Sequence, residues 1–361
     1  MTTLNVLVLE GDGIGPEVTA EAIGVMKRAC ELGGLGLNLQ QGAFGGASID
    51  ACGEPISQAV LVDAKQADGV LLGACGGPKW DDLPTDKRPE KGLLRLREHL
   101  EVFANLRPAK LFSALADACP LKPERAQGFD FIVIRELVGG IYFGKPRRIE
   151  GAPGARVGLN TLVYSEAEIE RIGRVAFETA RLRKKQLVSV DKANVLEVMG
   201  LWRDVMNRLS KEYTDVSLSH LYVDNAAMQL VLRPAEFDVM VTGNMFGDIL
   251  SDLAAAATGS IGLLPSAALG QGAGLYEPVH GSAPDIAGQG KANPLAAIMS
   301  AAMLLEHTAK RPDLGQAINQ AVEAVLDAGH RTADLAKAGE KVISTSEMGA
   351  QVLLELNKRI G

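Results

Sequence analysis

Two aspartates four residues apart, Asp248 and Asp252, have the spacing in this sequence that best suits a metal ion. On an α-helix, such residues lie on one face, about one turn apart. Like charges at that spacing destabilise a helix by roughly 0.2–0.5 kcal/mol unless a cation lies between them. Mg²⁺ is usually held by one or two carboxylates with water and substrate oxygens. A solvated acidic face is the alternative, but the small and apolar neighbours predict a buried helix, which favours the metal.

The pattern of a strand, a polar turn and a helix occurs three times in the middle of the chain. Lys192 follows the apolar run ending at Asp191, Asp224 follows the run at 218–223, and the aspartate pair follows the run at 237–242. Ligands of open α/β sheets bind at the carboxyl ends of the strands. The recurrence predicts one site containing a cation and three carboxylates.

Three arginines lie near the ends of neighbouring elements: Arg97, Arg107 and Arg135. Together they could hold an anion, because Arg binds carboxylates bidentately, although any one alone would more often be a surface residue. The helix that carries Arg97 also places Glu90, Leu93 and Leu94 on the same face. An ordinary amphipathic helix with its leucines inward explains that spacing equally well.

The turn-rich segment 277–294 is the candidate nucleotide-binding loop. Backbone amides at Gly281–Ala283 could receive phosphate, and Asp285 could accept from ribose hydroxyls. His280 could instead be a loop histidine bonded to its neighbours. The N-terminal GDGIGPE spaces its glycines as G-x-G-x-G, so it does not match a dinucleotide fingerprint. Tyr142, after Gly139-Gly140, could be a packing residue.

The elements that must position these residues are those of a two-domain α/β protein. The chain has 361 residues, enough for about two domains. Its net charge of −7 argues against general nucleic-acid binding. The four cysteines have no metal or disulfide spacing, and neither a signal peptide nor a membrane span is evident, which predicts a cytoplasmic protein. Helices are expected at 16–32, 165–183, 294–309, 311–328 and 346–358, with hairpin character at 151–165. Ser165 and Glu168 predict a capping box.

Several longer motifs resemble the β-decarboxylating dehydrogenases, the family of the isocitrate and isopropylmalate dehydrogenases, and the resemblance covers essentially the whole chain. The most specific two are NMFGDILSDLAAAATGSIGLLPSA at 244–267 and EPVHGSAPDIAGQGKANP at 277–294. The others are GDGIGPE at 11–17, GGPKWD at 76–81, LLRLREHLEVFANLRP at 93–108, IYFGKPR at 141–147, VDKANVL at 190–196 and YVDNAAMQL at 222–230.

The resemblance implies an α/β fold of two domains without a Rossmann fingerprint and with the active site in the interdomain cleft. One domain combines 1–102 with 259–361 and contains most of the NAD site; the other, 103–258, supplies dimer contacts, metal ligands and catalytic residues. It also implies a homodimer with shared active sites, in which Lys192 and Asp224 reach the neighbour's site.

The resemblance further implies a role for each residue of the site. The catalytic residues would be Tyr142, Lys192 and Asp224, with Mg²⁺ or Mn²⁺ held by Asp224, Asp248 and Asp252. The substrate residues would be Glu90, Leu93, Leu94, Arg97, Arg107, Arg135, Asn194 and Val195. The NAD residues would be Ile14, Gly77, Glu277, His280, Gly281, Ser282, Ala283, Asp285 and Asn293.

The implied reaction oxidises the hydroxyl of a 2-hydroxy-3-carboxy acid and removes its β-carboxylate. Lys192 would act as base and Tyr142 as the acid that protonates the enolate carbon. The two leucines favour a branched aliphatic substituent, as in isopropylmalate, where isocitrate relatives carry Ser and Asn. A sibling enzyme for tartrate, malate or homoisocitrate is the first alternative, and a non-catalytic metal- or nucleotide-binding protein is the second.

Overall fold

The computed structural model describes residues 3–360, except for the side chain of Pro123. The strands are β1 Thr3–Gly11, β2 Gly36–Gln41, β3 Gly69–Ala74, β4 Ala104–Lys110, β5 Asp130–Glu136, β6 Arg148–Glu150, β7 Val157–Leu159, β8 Gln186–Asp191, β9 Ser217–Tyr222, β10 Val239–Thr242, β11 Pro265–Leu269 and β12 Gly274–Pro278. The helices are α1 Gly15–Leu32, α2 Gly46–Cys52, α3 Gln58–Gln66, α4 Pro89–Leu100, α5 Pro123–Ala126, α6 Glu166–Arg181, α7 Glu197–Ser210, α8 Val223–Leu232, α9 Asn244–Thr258, α10 Leu295–His307, α11 Pro312–Asp327 and α12 Thr345–Ile360.

The chain divides into two compact units. Unit 1 comprises Met1–Val102, Leu111–Pro123 and Ala255–Gly361, and unit 2 comprises Phe103–Lys110 and Glu124–Ala254. Segment 111–123 belongs to unit 1 in this division, although the sequence analysis placed it in the middle domain. The sequence analysis places the domain boundaries at 102/103 and 258/259, whereas the compact units divide at 102/103 and 254/255.

Unit 1 is built on strands in the order β2-β1-β3-β12-β11. β1 pairs in parallel with β2 and β3, β12 pairs in parallel with β3, and β11 runs antiparallel to β12. Every residue of β3 and β12 is buried; β3 is accordingly apolar throughout, whereas β12 also buries the charged Glu277. Helix α1 packs against α10 and α12, and α10 covers β11 and β12.

Unit 2 is built on strands in the order β4-β5-β10-β8-β9. β4 and β5 are antiparallel, whereas β5, β10, β8 and β9 pair in parallel. The carboxyl ends of these four strands therefore share one edge, where Arg135, Lys192, Asp224 and the start of α9 are found. β6 and β7 form a separate antiparallel hairpin; the sequence predicts a hairpin at 151–165, which contains β7, whereas β6 lies just before that range.

The predicted α/β fold is confirmed, and each predicted helix is present within three residues of its expected ends. The capping box of α6 is also confirmed, because Ser165 Oγ accepts the Glu168 N–H and the Glu168 carboxylate accepts the Ser165 N–H. Among the described residues, no helix is long and apolar enough to cross a membrane.

Candidate active site

Helix α9 carries the aspartate pair on its outward face. Strand β10 is fully buried and ends at Thr242, so that α9 begins at the carboxyl edge of unit 2. The side chain of Asp248 is 38% exposed and that of Asp252 60% exposed. Ile249 between them is also exposed. The expectation that these carboxylates are buried is therefore wrong: Leu250, Ala254 and Ala255 pack on the opposite face of the helix, whereas Ile249 does not.

Two buried arginines neutralise this pair. Arg135 donates from Nε and Nη2 to Asn244 Oδ1, at 3.0 and 2.8 Å, and from Nη1 to Asp248. Arg107 Nη1 lies 3.6 Å from Asp248 Oδ1 and 3.8 Å from Asp252 Oδ1. A cation between like charges is what the helix spacing requires, and here the arginines supply it.

Arg107 lies in the middle of β4 rather than at its end, which corrects the sequence interpretation. The antiparallel pairing of β4 with β5 still brings Arg107 to the site, because its Nη1 donates to Ser251 Oγ at 2.7 Å and its Nε to Asn105 Oδ1 at 2.7 Å. Sequence reasoning missed Asn105, Asn244 and Ser251. Of these three, only Asn244 could have been found from the sequence, because it starts a helix directly after a buried strand.

Tyr142 is bonded directly to the pair, since its hydroxyl donates to Asp248 Oδ2 at 3.0 Å. The guanidinium of Arg135 lies 5.8 Å from the centre of the tyrosine ring. Desolvation raises the pKa of Tyr142, and the charge of Asp248 raises it further. The phenol therefore stays protonated at neutral pH and is suited to donate a proton.

Lys192 and Asp224 form a second pair at the same sheet edge. Lys192 follows the last residue of β8, Asp224 is in the first turn of α8, and Nζ lies 2.8 Å from Oδ1. The hydrogen bond from Lys192 lowers the pKa of Asp224. The preceding Asp191 is fully buried and accepts two hydrogen bonds from Arg203 and one from the Ala193 N–H. This bonding fixes the backbone from which Lys192 projects.

The remaining substrate candidates of unit 2, Asn194 and Val195, lie in the turn between β8 and α7, and Val195 is 65% exposed. The Val195 N–H donates to the Lys192 carbonyl at 3.1 Å, so this turn is bonded to the backbone of a predicted catalytic residue. Within residues 3–360, no three His, Cys, Asp or Glu side chains are close enough together to hold a metal ion. Asp224 therefore does not join Asp248 and Asp252 within one chain.

The donors nevertheless suit a hard divalent cation. Asp248 and Asp252 offer oxygens from one face of α9, and the exposed Asp252 carboxylate leaves room for water or substrate ligands. Desolvation raises the pKa of Asp252, Arg107 opposes that effect, and the charge of Asp248 adds to it. A cation at this position would relieve the repulsion between the two carboxylates.

In unit 1, α4 presents Glu90, Leu93, Leu94 and Arg97 along one side. Arg97 and Glu277, each with a side chain 8% exposed, are joined by a 2.7 Å hydrogen bond. The structure thus pairs a predicted substrate residue with a predicted cofactor residue, and no local pattern in the sequence indicates this pair. Arg97 Nε has no hydrogen-bond partner among the described residues, so part of its donor capacity is open to a ligand.

The 277–294 segment borders a cavity of about 400 Å³ in unit 1. Its lining includes five of the predicted cofactor residues: Ile14, His280, Gly281, Ala283 and Asn293. Burial lowers the pKa of His280, so the ring is neutral at pH 7, and its Nε2 has no partner among the described residues. An unpartnered buried donor or acceptor costs free energy, which a ligand in the cavity would recover. The cavity thus suits a polar, partly apolar molecule such as a nucleotide.

The other four predicted cofactor residues lie outside that lining. Ser282 contributes its carbonyl, which accepts the Ile14 N–H at 2.8 Å. Asp285 is exposed, Gly77 precedes the short helical turn Pro78–Trp80, and Glu277 is the partner of Arg97.

Fold and site together define an α/β dehydrogenase without a Rossmann fingerprint. The sequence matches the isocitrate/isopropylmalate dehydrogenase family over residues 5–352, and the chain belongs to that family. It is 61% identical to the 3-isopropylmalate dehydrogenase of Chromohalobacter salexigens, over 96% of this chain and 97% of that protein. It is 59% identical to the 3-isopropylmalate dehydrogenase of Hahella chejuensis, over 98% and 99%.

Solved structures agree with this assignment. The isocitrate dehydrogenase of Methylococcus capsulatus has a TM-score of 0.86 at 32% identity, covering 98% of this chain and 99% of that one. A β-decarboxylating dehydrogenase of Thermococcus kodakarensis has a TM-score of 0.77 at 33% identity, covering 98% and 96%.

Proposed function

We propose that this enzyme catalyses the oxidative decarboxylation of (2R,3S)-3-isopropylmalate to 4-methyl-2-oxopentanoate and CO₂ with reduction of NAD, a step of leucine biosynthesis. The observation that carries the proposal is the Asp248–Asp252 pair, flanked by buried Arg107 and Arg135 and bonded to the Tyr142 hydroxyl. The similarity to 3-isopropylmalate dehydrogenases over nearly the whole chain supports it.

The arginines would bind the substrate carboxylates. Arg107 and Arg135 are buried, and each is held by a neutral side chain, Asn105 or Asn244. A guanidinium fixed in this way loses little freedom when it binds a carboxylate, so its charge is available at low entropic cost. Arg97 would supply a third contact through Nε.

A divalent cation, Mg²⁺ or Mn²⁺, would be held by Asp248 and Asp252, with Asp224 as a further ligand. When bound, it would polarise the substrate hydroxyl and offset the negative charge that develops as CO₂ leaves. The arginines that now face these carboxylates would then be freed to face the substrate.

Lys192 would take the hydroxyl proton, with Asp224 accepting from its amine and orienting it. Tyr142 would deliver a proton to the enolate carbon after decarboxylation. The Asp248 hydrogen bond aims its hydroxyl, and the raised pKa keeps the proton on it until it is needed.

Substrate choice would rest on Leu93 and Leu94, which are half-buried on α4. An apolar surface there suits an isopropyl group and would leave an additional carboxylate without a partner. Glu90, Asn194 and Val195 would complete the pocket. Discrimination against a substrate smaller by one methylene is expected to be about 1–3 kcal/mol.

The hydride acceptor would be NAD, bound along the cavity at Ile14, His280, Gly281, Ala283 and Asn293. The exposed carboxylate of Asp285 would accept from ribose hydroxyls. A 2′-phosphate placed beside it would be repelled, so NADP is expected to be the poorer cofactor.

Two further proposals follow from the family resemblance. A homodimer would bring Lys192 and Asp224 of one subunit to the Asp248–Asp252 pair of the other, which accounts for their separation within one chain. A small-molecule enzyme of this kind is expected in the cytoplasm.

The test is an NAD reduction assay with 3-isopropylmalate, with and without Mg²⁺. NADH should form only when both the substrate and the metal are present, and tartrate, malate and homoisocitrate should give lower kcat/KM. Equal turnover of isocitrate-type acids would refute the substrate assignment. Undiminished activity in excess chelator would refute the metal assignment.

A further inference from the structure

Glu17, in the first turn of α1, is bonded to a distant turn of unit 1. Its Oε1 accepts the N–H of Gly288 at 3.0 Å, and its Oε2 accepts the N–H of Gly290 at 3.0 Å. An acid in the first turn of a helix usually serves that helix through the dipole. Here both carboxylate oxygens also accept backbone N–H groups, from residues that follow Glu17 in the chain by 271 and 273 positions.

The turn that Glu17 holds requires its glycines. Gly288 and Gly290 have φ values of +72° and +61°, in the left-handed region that glycine adopts most readily. Nothing lies within 4 Å of the Cβ that either position would gain. Space does not select glycine here, so the backbone conformation does. That conformation aims two amide N–H groups at one carboxylate.

The same turn continues to Asp285. Gln289 donates its side-chain amide to the Asp285 carbonyl at 2.7 Å, and its N–H donates to the Ile286 carbonyl at 3.2 Å. On the other side, the Thr345 N–H donates to the Gly290 carbonyl at 2.9 Å. The Asp285 carboxylate has no partner among the described residues. Its position is therefore set by the backbone of 285–290, which is hydrogen-bonded to the Glu17 carboxylate.

We propose that Glu17 is a positioning residue that fixes the 285–290 turn for the ribose end of NAD and so sets both affinity for the cofactor and preference over NADP. The inference rests on the proposed function, because it requires Asp285 to meet the ribose. Glu17 itself contacts no substrate. Its effect is transmitted through Gly288, Gly290 and Gln289.

Glu17→Gln is the sharpest variant, because it keeps the size of the side chain. A glutamine offers one acceptor oxygen and turns its NH₂ toward the second amide N–H, so one of the two bonds is lost. We expect ADP-ribose to bind about tenfold more weakly in calorimetry, and KM for NAD to rise in parallel. The ratio of kcat/KM for NAD to that for NADP should fall, while kcat at saturating NAD stays within about twofold.

Glu168→Gln is the matched control. Glu168 also accepts backbone and side-chain donors at a helix start, from Ser165 N–H and Ser165 Oγ, each at 2.7 Å, at the beginning of α6. This variant should lower the melting temperature without changing ADP-ribose affinity. A merely structural role for Glu17 predicts the same behaviour in Glu17→Gln.

Gly288→Ala tests the same turn without touching Glu17. The new methyl meets no atom, so its cost comes from φ alone, and it should reproduce the weaker ADP-ribose binding. The two substitutions should be non-additive in the double variant. If the Glu17→Gln variant does not fold, the ADP-ribose affinity of the Gly288→Ala variant alone tests the proposal.

Unchanged ADP-ribose affinity in a folded Glu17→Gln or Gly288→Ala variant overturns the proposal, as does a loss confined to kcat. If the unsubstituted enzyme neither binds ADP-ribose nor reduces NAD, the proposed function has failed. If it does both and the variants match it, only the role of Glu17 has failed.

Discussion

Tyr142 and Lys192 differ in the partner that sets their chemistry. The tyrosine hydroxyl is bonded to Asp248, a carboxylate that two arginines already face, whereas the lysine amine is bonded to Asp224, which is 67% exposed. The first is held as a proton donor, and the second lies beside an accessible acceptor. In the proposed mechanism, the acid and the base would thus be bonded to separate carboxylates, so the proton of one would not be lost to the other.

Tyr142→Phe should lower steady-state kcat by about 100-fold or more while leaving KM for NAD near its original value, because only the late proton donor is removed. Rapid-mixing absorbance should still show a first burst of NADH, since hydride transfer precedes protonation. Tyr213→Phe is the control: Tyr213 stacks on Phe177 with ring centres 4.7 Å apart. Normal turnover of Tyr142→Phe would exclude the tyrosine from the chemistry.

Lys192→Met should abolish that NADH burst as well, because the base acts before the hydride leaves. The same rapid-mixing experiment at high protein concentration distinguishes the two variants. A burst of ordinary amplitude from Lys192→Met would assign the base elsewhere.

Helix α9 combines a packing face and a reactive face. Leu250, Ser251 and Ala254 are buried, while Asp248 and Asp252 face outward. The strand before it fixes where the helix begins, and the arginines of β4 and β5 fix the orientation of its carboxylates. Removing an acid from the outward face should therefore change ligand binding far more than it changes the packing of the helix.

Asp252→Asn should weaken Mg²⁺ activation by more than about tenfold, with little change in melting temperature. In the unsubstituted enzyme, the raised pKa of Asp252 means that protons compete with the metal at higher pH than for an ordinary aspartate. Apparent Mg²⁺ affinity should therefore fall as pH is lowered, when Mg²⁺ is titrated at several pH values. Asp313→Asn, which removes a partner of Arg311, should leave the titration unchanged.

Helix α6 depends on its first turn. Ser165→Ala removes the acceptor for the Glu168 N–H and should cost about 1 kcal/mol in free energy of unfolding, measured by urea titration. Ser165→Thr keeps a hydroxyl at that position and should retain most of the stability. Equal stability of the alanine and threonine variants would show that the capping box contributes nothing.

Local sequence patterns predicted the positions of helices and strands better than they predicted which residues contact one another. The turn after β10, the proline that opens α1 and the Ser165 cap are encoded within a few residues, so helices and strands were found close to their bounds. The Arg97–Glu277 pair joins residues 180 apart, and its formation depends on β12 pairing with β3. No local pattern specifies such a pairing. The burial of α9 was misjudged for the same reason, because composition does not show which face of a helix meets the sheet.

At the level of the whole enzyme, unit 2 exposes apolar side chains on α8 and α9. Met228 is 52%, Val231 40% and Ile249 58% exposed. Exposed apolar side chains at neighbouring positions of one helix, such as Met228 and Val231 of α8, are typical of a protein interface. It supports the proposed homodimer, in which each site takes Lys192 from one subunit and Tyr142 from the other.

Shared sites predict complementation between two inactive variants. Mixing unfolded Lys192→Met and Tyr142→Phe chains and refolding them together should restore about a quarter of normal activity, since half of randomly paired dimers are mixed and each has one intact site. Each variant refolded alone is the control. No recovery, with dimers confirmed by light scattering, would place the lysine and tyrosine of each site on the same subunit.

Stability should depend on pH through His307, at the end of α10. Burial lowers the pKa of His307, and the nearby charge of Lys310 lowers it further. The unfolded chain therefore binds the proton more readily, so stability is complete above about pH 6.5 and is lost as pH falls through that value toward the folded pKa. The His307→Asn variant should not lose this stability at low pH. The loss in the unsubstituted protein should be about 1.4 kcal/mol in free energy of unfolding for each unit by which folding lowers the pKa of His307. Urea titrations at pH 8 and pH 5.5 measure it; a pH-independent difference between the two proteins would contradict it.

The division of the chain into two units also determines which unit can fold first during synthesis. Unit 2 is complete once Ala254 has been made, whereas unit 1 still requires all of 255–361. In unit 1, α1 packs on α10 and α12, which are translated last, and β3 awaits β12. Contacts so distant in sequence form slowly. The amino-terminal hundred residues must therefore leave the ribosome before α10, α12 and β12 can cover α1 and β3, so nascent unit 1 is the part of the chain expected to need a chaperone most.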